Sequence, residues 1–357
     1  MSDYESETAE DIEAEAKLAD MPRIRELLYR QQDIDGALAL AQKCFQERPR
    51  RRIHEEIGNL YRQKGDDFLA RSIYQACLLC YGQLHSTNLI HANIAVARAF
   101  VDDGRKLLYI PIPKNGSTTI KNFFSKALLG QTFGEGVHLQ MSERYRFVTP
   151  VDLQEQYKDY FKFAVIRDPL DRVQSYYSRN VRLGALARHA RDVENFLGLS
   201  TAPSEAVFVT KLADYRRRFI DAKHHTDPQH RYLDHFSVEE CGLKLFNMAG
   251  IATIRAHLAE AYGQEIEDER FMQTGTSEKK PLPEFYQSLR GLYKRDYNLY
   301  GKLAGSESRG KDGAELKTKR RVRQVHFYQR HYLSAKERAQ AEAEAQTGAA
   351  IAAQKQN

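Results

Sequence analysis

The sequence predicts an α/β fold: a central parallel sheet flanked by helices, with a phosphate-loop-like turn, preceded by a separate α-helical domain. Three observations predict it. A strand–loop–helix pattern occupies residues 106–130 and recurs at 162–180. Each strand is a short apolar run without polar alternation, as expected of a sheet covered on both faces. Residues 21–100 read as helical throughout and carry a weak repeat, QDIDGALALAQKCF (Gln32–Phe45) against GDDFLARSIYQACL (Gly65–Leu78), at an offset of 33.

Taken in order, residues 1–15 hold seven acids and no base, so 1–20 reads as an acidic disordered tail. Residues 21–104 form the helical domain. Ile57, Gly58, Tyr61, Ala70, Tyr74 and Cys77 fall at spacings similar to the tetratricopeptide pattern, whose period is 34. An ordinary helical bundle accounts for the same residues. Gly58 and Ala70 are small enough for paired helices to approach closely. With about two repeats where three usually stand alone, the helices should pack on the next domain and offer a surface to a protein partner.

Residues 105–302 form the α/β domain. KLLYIPIP is a buried strand ending at proline, and STTIKNFFSKALLG places Ile120, Phe123, Phe124, Ala127 and Leu128 on one helical face, with Gly130 as the stop. The second unit has Phe163–Ile166 as its strand and Pro169 at the helix start. Residues 303–357 make a basic, partly helical tail behind the linker GSESRGKDG. Its KTKRRVR run (Lys317–Arg323) mixes with Val325, Phe327, Tyr328 and Tyr332. Two readings fit: an interfacial helix making peripheral contact with an anionic membrane or acceptor, and a plain solvated helix.

Composition narrows the class. Hydrophobic residues make up 42% and charged residues 29%, with a net charge of +6, the balance of a globular chain with no nucleic-acid partner. No run of 18 apolar residues exists, and the acidic N-terminus lacks the apolar stretch of a secretory signal. Cys44, Cys77, Cys80 and Cys241 are too few for a disulfide framework, which points to a reducing cytoplasm. Cys77 and Cys80 form a C-x-x-C with no second pair, and they read as helix core.

The chemistry sits in the two loops. IPIPKNGSTTI (Ile110–Ile120) departs from G-x-x-x-x-G-K-[ST], because Lys114 precedes Gly116. Gly116 lets backbone approach a ligand, the amides of 116–119 open a helix toward an anion, and Ser117, Thr118 and Thr119 add hydroxyls. A capped helix start would explain one hydroxyl, but not three beside Lys114 and Asn115. In the second loop Arg167 closes the strand, and Arg172 and Ser175 share a helical face. Two separate phosphate grips suit a nucleotide phosphorylated at both ends of its ribose, such as 3′-phosphoadenosine-5′-phosphosulfate (PAPS).

Here the residues acquire a family. PKNGSTTI resembles the 5′-phosphosulfate loop of PAPS-dependent sulfotransferases, and VIRDPLDRVQSYY resembles their 3′-phosphate motif. The likeness is closest to the Golgi carbohydrate enzymes of the uronyl 2-O, chondroitin and HNK-1 types. HHTDPQHR (His224–Arg231) is similar to an H-x-x-P-Q element of that branch. QTGTSEKK and LYKRDYNLYG (Gln273–Gly301) are similar to its R-T-x-S-S-T and closing L-Y-x-x-D-F-x-L-F-G segments.

The resemblance implies a sulfotransferase fold and an enzyme with PAPS as co-substrate, adenosine 3′,5′-bisphosphate as product and no required metal. Its acceptor would be a carbohydrate or glycolipid hydroxyl. Lys114 would stabilise the leaving phosphate. Asn115, Gly116, Ser117, Thr118 and Thr119 would hold the 5′-phosphate, with Arg167 and Ser175 on the 3′-phosphate and Gly275 and Lys279 closing over the nucleotide. For the base that takes the acceptor proton, His138 is the first choice, His225 the second and Glu135 the third. Four histidines within 224–235 fit no standard zinc spacing. A P-loop kinase and a non-catalytic repeat adaptor with a relic nucleotide site are the alternatives. The first lacks a lysine after its glycine, and intact Lys114, Arg167 and Ser175 speak against the second.

Overall fold

The computed structural model describes residues 20–81, 84, 88, 91–92, 97–233, 236–267 and 282–304. They fall into two compact units, divided between Ala95 and Val96. The expected acidic tail, the basic tail, His235, Gly275 and Lys279 lie outside the described residues.

The first unit is helical. Helix α1 (Asp20–Arg25) runs into a π turn at Glu26–Arg30, followed by α2 (Ile34–Glu47), α3 (Arg51–Lys64) and α4 (Asp67–Tyr81). Asp33 caps α2 by accepting from the Gly36 amide at 2.8 Å. Gly65, at φ +93°, ends α3 in the left-handed conformation that glycine adopts without strain. The small residues do bring helices together. A Cβ on Gly58 would stand 2.6 Å from the Tyr74 ring, and Ala70 is buried. These facts define a packed helical unit.

The second unit is built on a five-stranded sheet of order β3-β1-β2-β4-β7. Its strands are β1 (Ala97–Asp102), β2 (Leu107–Ile110), β3 (Tyr145–Val148), β4 (Phe161–Val165) and β7 (Leu243–Phe246). A two-residue hairpin, β5 (Asn195–Phe196) with β6 (Leu199–Ser200), lies apart. Two expectations are corrected here. The sheet is mixed: β2, β4 and β7 pair in parallel, while β1 pairs antiparallel with both β2 and β3. The helical reading also ran too far, since residues 97–102 form a strand, and the boundary drawn at 104 falls inside a hairpin. That hairpin turns at Asp103–Lys106, where the Asp102 carboxylate accepts from the Gly104 amide at 3.0 Å.

Helix α5 (Ser117–Leu129) follows β2 and stops at Gly130, φ +72°. Its Ile120, Phe123 and Phe124 pack with Ile254 and Leu258 of α8 (Ile251–Tyr262) onto Leu107, Tyr109, Phe163 and Val165 of the sheet. Tyr109 and Phe163 stack across β2 and β4 at 4.9 Å. The alternate residues Leu108, Ile110, Ala164 and Ile166 are buried too, so both faces are covered. Helix α6 (Pro169–Tyr176) follows β4 and continues as a π turn, Tyr177–Val181. Two further helices reach the site, α7 (Ile220–Thr226) and α9 (Lys294–Ala304). Because Ile110 lies opposite Ala164, the loops after β2 and β4 emerge side by side at the carboxyl edge of the parallel strands. That edge is where open α/β sheets bind ligands. Among the described residues no helix is long and apolar enough to cross a membrane.

Candidate active site

The first loop is held open at its helix end. Gly116 (φ +74°) is the N-cap of α5 and, as a glycine, brings no side-chain cap to the first-turn amides. The N-cap position itself therefore supplies no acceptor to this terminus, which carries the partial positive charge of the helix dipole. Side chains other than hydrogen fit poorly at 116. A Cβ would meet Ile251 Cδ1 at 2.7 Å, and the positive φ strains any L-residue. Lys114 also adopts a positive φ, +66°. Asn115 between them is fully buried, and its Nδ2 donates to Val165 O and to Gln229 Oε1, each at 2.6 Å.

Lys114 turns inward. Its Nζ donates to Asn180 Oδ1 and lies 6.0 Å from the centre of the Tyr176 ring. Burial lowers its pKa to about 8, with Asp221 pulling up and Arg167 and Arg179 pushing down. Arg167 is the companion cation. Its Nη1 donates to the Lys114 carbonyl at 3.1 Å, and burial lowers its pKa. Ser175 sits in the last turn of α6, partly exposed.

Arg172, expected to share a ligand face with Ser175, is fully buried; its guanidinium donates to Pro113 O at 2.8 Å and to Asp227 O, while its Nη2 has no hydrogen-bond partner among the described residues. It is a strut beneath the first loop. The nearest acid after β4 is engaged as well: Asp168 accepts from the amides of Leu170 (2.9 Å) and Asp171 (3.2 Å), capping α6. A kinase-like reading would need that position for magnesium.

The two histidine candidates stand in different surroundings. His138 lies in the short helix Val137–Gln140, with Nε2 3.1 Å from Thr118 Oγ1 and Nδ1 2.8 Å from Lys121 Nζ. Burial, then Lys121, lowers its pKa to about 4. Both ring nitrogens are occupied. His225, in α7, has Nδ1 2.9 Å from Asp221 O and 3.1 Å from Asp221 Oδ1. Two acceptors facing Nδ1 place a proton there, so that in the neutral ring the lone pair is on Nε2. The ring stacks on Tyr176, 5.1 Å away and 11° from parallel. Burial alone would raise the Asp221 carboxyl, but His225 and the Tyr176 hydroxyl, which donates at 2.7 Å, hold it well below the usual carboxylate range. Tyr176 thus carries Lys114 near its ring, His225 on its face and Asp221 at its hydroxyl.

Gln229 joins the loops. Fully buried, it accepts from Asn115 and from the Arg167 amide (3.0 Å), and its Nε2 donates to Arg167 O at 2.7 Å. Its own amide donates to Asp296 Oδ2 at 2.7 Å, and Asp296 Oδ1 also takes the His230 amide at 2.9 Å and lies 2.7 Å from His230 Nδ1. The P-Q of the H-x-x-P-Q element and the aspartate of the closing segment therefore form one buckle under the site.

Sequence reasoning missed Tyr176, Asn180 and Asp221. Asp221 was accessible in principle, because it precedes His225 by four on one helix face. Asn180 was not, because its direction depends on the π turn. Compared with models of protein families, residues 97–302 match the Sulfotransferase family. That span is more than half of the chain, and the chain belongs to the sulfotransferase family. No curated protein and no solved structure matches it.

Proposed function

We propose that the protein transfers a sulfuryl group from PAPS to a carbohydrate hydroxyl. The observation that carries this is the convergence of an uncapped helix terminus, the inward Lys114 and the His225–Asp221 pair around Tyr176. The donor set suits a doubly phosphorylated nucleotide: amides and hydroxyls at 116–119 for the 5′-phosphate, with Arg167 and Ser175 for the 3′-phosphate. An anion is also wanted near Lys114. Arg179 lies close enough to lower the Lys114 pKa, and its Nε is buried without a hydrogen-bond partner among the described residues.

PAPS supplies a sulfuryl group activated on its 5′-phosphate. His225 Nε2 accepts the proton of the acceptor hydroxyl while that oxygen bonds to sulfur. The bridging S–O bond breaks and leaves its electron pair on the phosphate oxygen. Lys114 Nζ, exchanging Asn180 for that oxygen, neutralises the new charge. Asp221 keeps His225 in the required tautomer and steadies the imidazolium. The general-base role thus passes from His138 to His225, the residue with an available lone pair.

The carbohydrate acceptor rests on the motif resemblance, ahead of lipid-linked sugar, small glycoside and protein tyrosine. Four free cysteines, three of them buried, support a reducing cytoplasm. The helical unit, read as tetratricopeptide-like on its Gly58–Tyr74 and Ala70 packing, would serve a protein partner. Two experiments test the central reading. Calorimetry should show binding of adenosine 3′,5′-bisphosphate and none of ATP, and label from PAPS should pass to members of a glycan panel. Binding of ATP alone would remove the proposal.

A further inference from the structure

We propose that Lys121, His138 and Thr118 form a fixed hydrogen-bonded relay that aims the Thr118 hydroxyl proton at the phosphate held by the first loop. The inference rests on the reading of residues 116–119 as a 5′-phosphate cradle. It makes His138 a positioning residue that never exchanges a proton with the acceptor.

The direction of each bond follows from what each group can do. A lysine ammonium has only donors, so Nδ1 of His138, 2.8 Å away, must present its lone pair. The ring proton is then on Nε2, and Nε2–H donates to Thr118 Oγ1 at 3.1 Å. Thr118 accepts there, so its own proton points elsewhere. Thr118 is the second residue of an uncapped helix and is partly exposed beside Gly116. The outlet of the relay is the site where an anion would sit. Burial and Lys121 hold the His138 pKa near 4, so the ring stays neutral and the direction does not reverse near neutral pH.

The start of the relay is fixed as well. Lys121 is buried, and its ammonium lies 4.9 Å from the centre of the Tyr145 ring. Nor is His138 needed to tie its loop to α5, because Asn122 already does so. Asn122 Oδ1 accepts from the Phe133 amide at 2.8 Å and the Gly134 amide at 3.0 Å, while Nδ2 donates to Gly134 O and Thr118 O, both at 2.9 Å. A histidine retained only for anchoring would duplicate that set. In the relay it carries the polarisation of a buried ammonium to a hydroxyl that has no charge of its own.

A double-mutant cycle tests this in the full chain, read as calorimetric affinity for adenosine 3′,5′-bisphosphate. Thr118→Ala and His138→Leu should each weaken binding on the order of tenfold, and the double variant should lose no more than the worse single one. His138→Gln should recover most of the loss, since its carbonyl can face Lys121 and its amide can face Thr118. The acidic limb of the kcat/KM profile should persist in His138→Gln. Multiplying losses in the double variant, or loss of that limb, would overturn the relay while leaving the nucleotide reading intact. Absence of bisphosphate binding by the wild type would remove both. If His138→Leu does not fold, judged by thermal melting, His138→Ala takes its place in the cycle, with the same expectation that the double variant lose no more than the worse single one.

Discussion

Helices α5 and α6 begin where two neighbouring parallel strands end, and their first turns are finished in opposite ways. At α5 the N-cap is Gly116, which has no side chain to offer the first-turn amides. At α6 the Asp168 carboxylate occupies the amides of Leu170 and Asp171. Both termini carry the same partial charge from their backbone dipoles. One is met by its own N-cap carboxylate, and the other has a glycine at the same position. An anion at the second loop must therefore be gripped by side chains such as Arg167. Similar strand–loop–helix patterns thus end in two chemically distinct helix starts, and one residue at the cap makes the difference.

The comparison breaks most visibly at Lys114. Lys114→Ala should lower kcat on the order of 10²–10³-fold with the fold retained, because the lost ammonium acts on charge that develops in the transition state. A variant that turns over normally would mean the open terminus works without its lysine. Arg167→Ala should act on binding instead. Loss of a charged hydrogen bond, about 1.5–3 kcal/mol, weakens adenosine 3′,5′-bisphosphate roughly ten- to a hundredfold. An effect confined to acceptor KM would move the nucleotide away from the second loop.

The pH profile should show a smaller but directional effect. Lys114 is useful only while protonated, and burial brings its pKa down to about 8. In the free enzyme kcat/KM should therefore fall as pH rises through about 8, while the limb in kcat lies higher, because bound anions favour the charged lysine. An alkaline limb that stays in place in Lys114→Arg would have another source. The smallest effect belongs to the closed terminus. Asp168→Ala should cost about 0.5–2 kcal/mol of stability, measured by denaturant unfolding, and change bisphosphate affinity less than Arg167→Ala does. A larger affinity loss would make the two termini equivalent.

Much of this was legible in the chain and some was not, for reasons that differ by residue. Strand β2, helix α5 and its stop at Gly130 follow from local apolar periodicity and a glycine that tolerates positive φ. Strand β1 was absorbed into the helical reading, which ran through residue 100. The D-D-G-R turn at Asp102–Arg105 was the available signal for an antiparallel hairpin. Within the site, Lys114 and Arg167 announce themselves by position in their loops. Arg172 looked like a ligand because its helix face was right, but burial under Pro113 and Asp227 is a property of the packed chain. His138 and His225 differ in which ring nitrogens are already bonded. No spacing encodes that.

The Gln229–Asp296 bond sets a practical limit on where this chain can be cut. A fragment ending after the last strand, at Phe246, would contain both loops assigned to the phosphates. It would still lack the carboxylate that fixes the Gln229 amide, and with it the bracing of Asn115 and Arg167. The minimal piece worth expressing therefore extends through α9, roughly sixty residues beyond the sheet it serves.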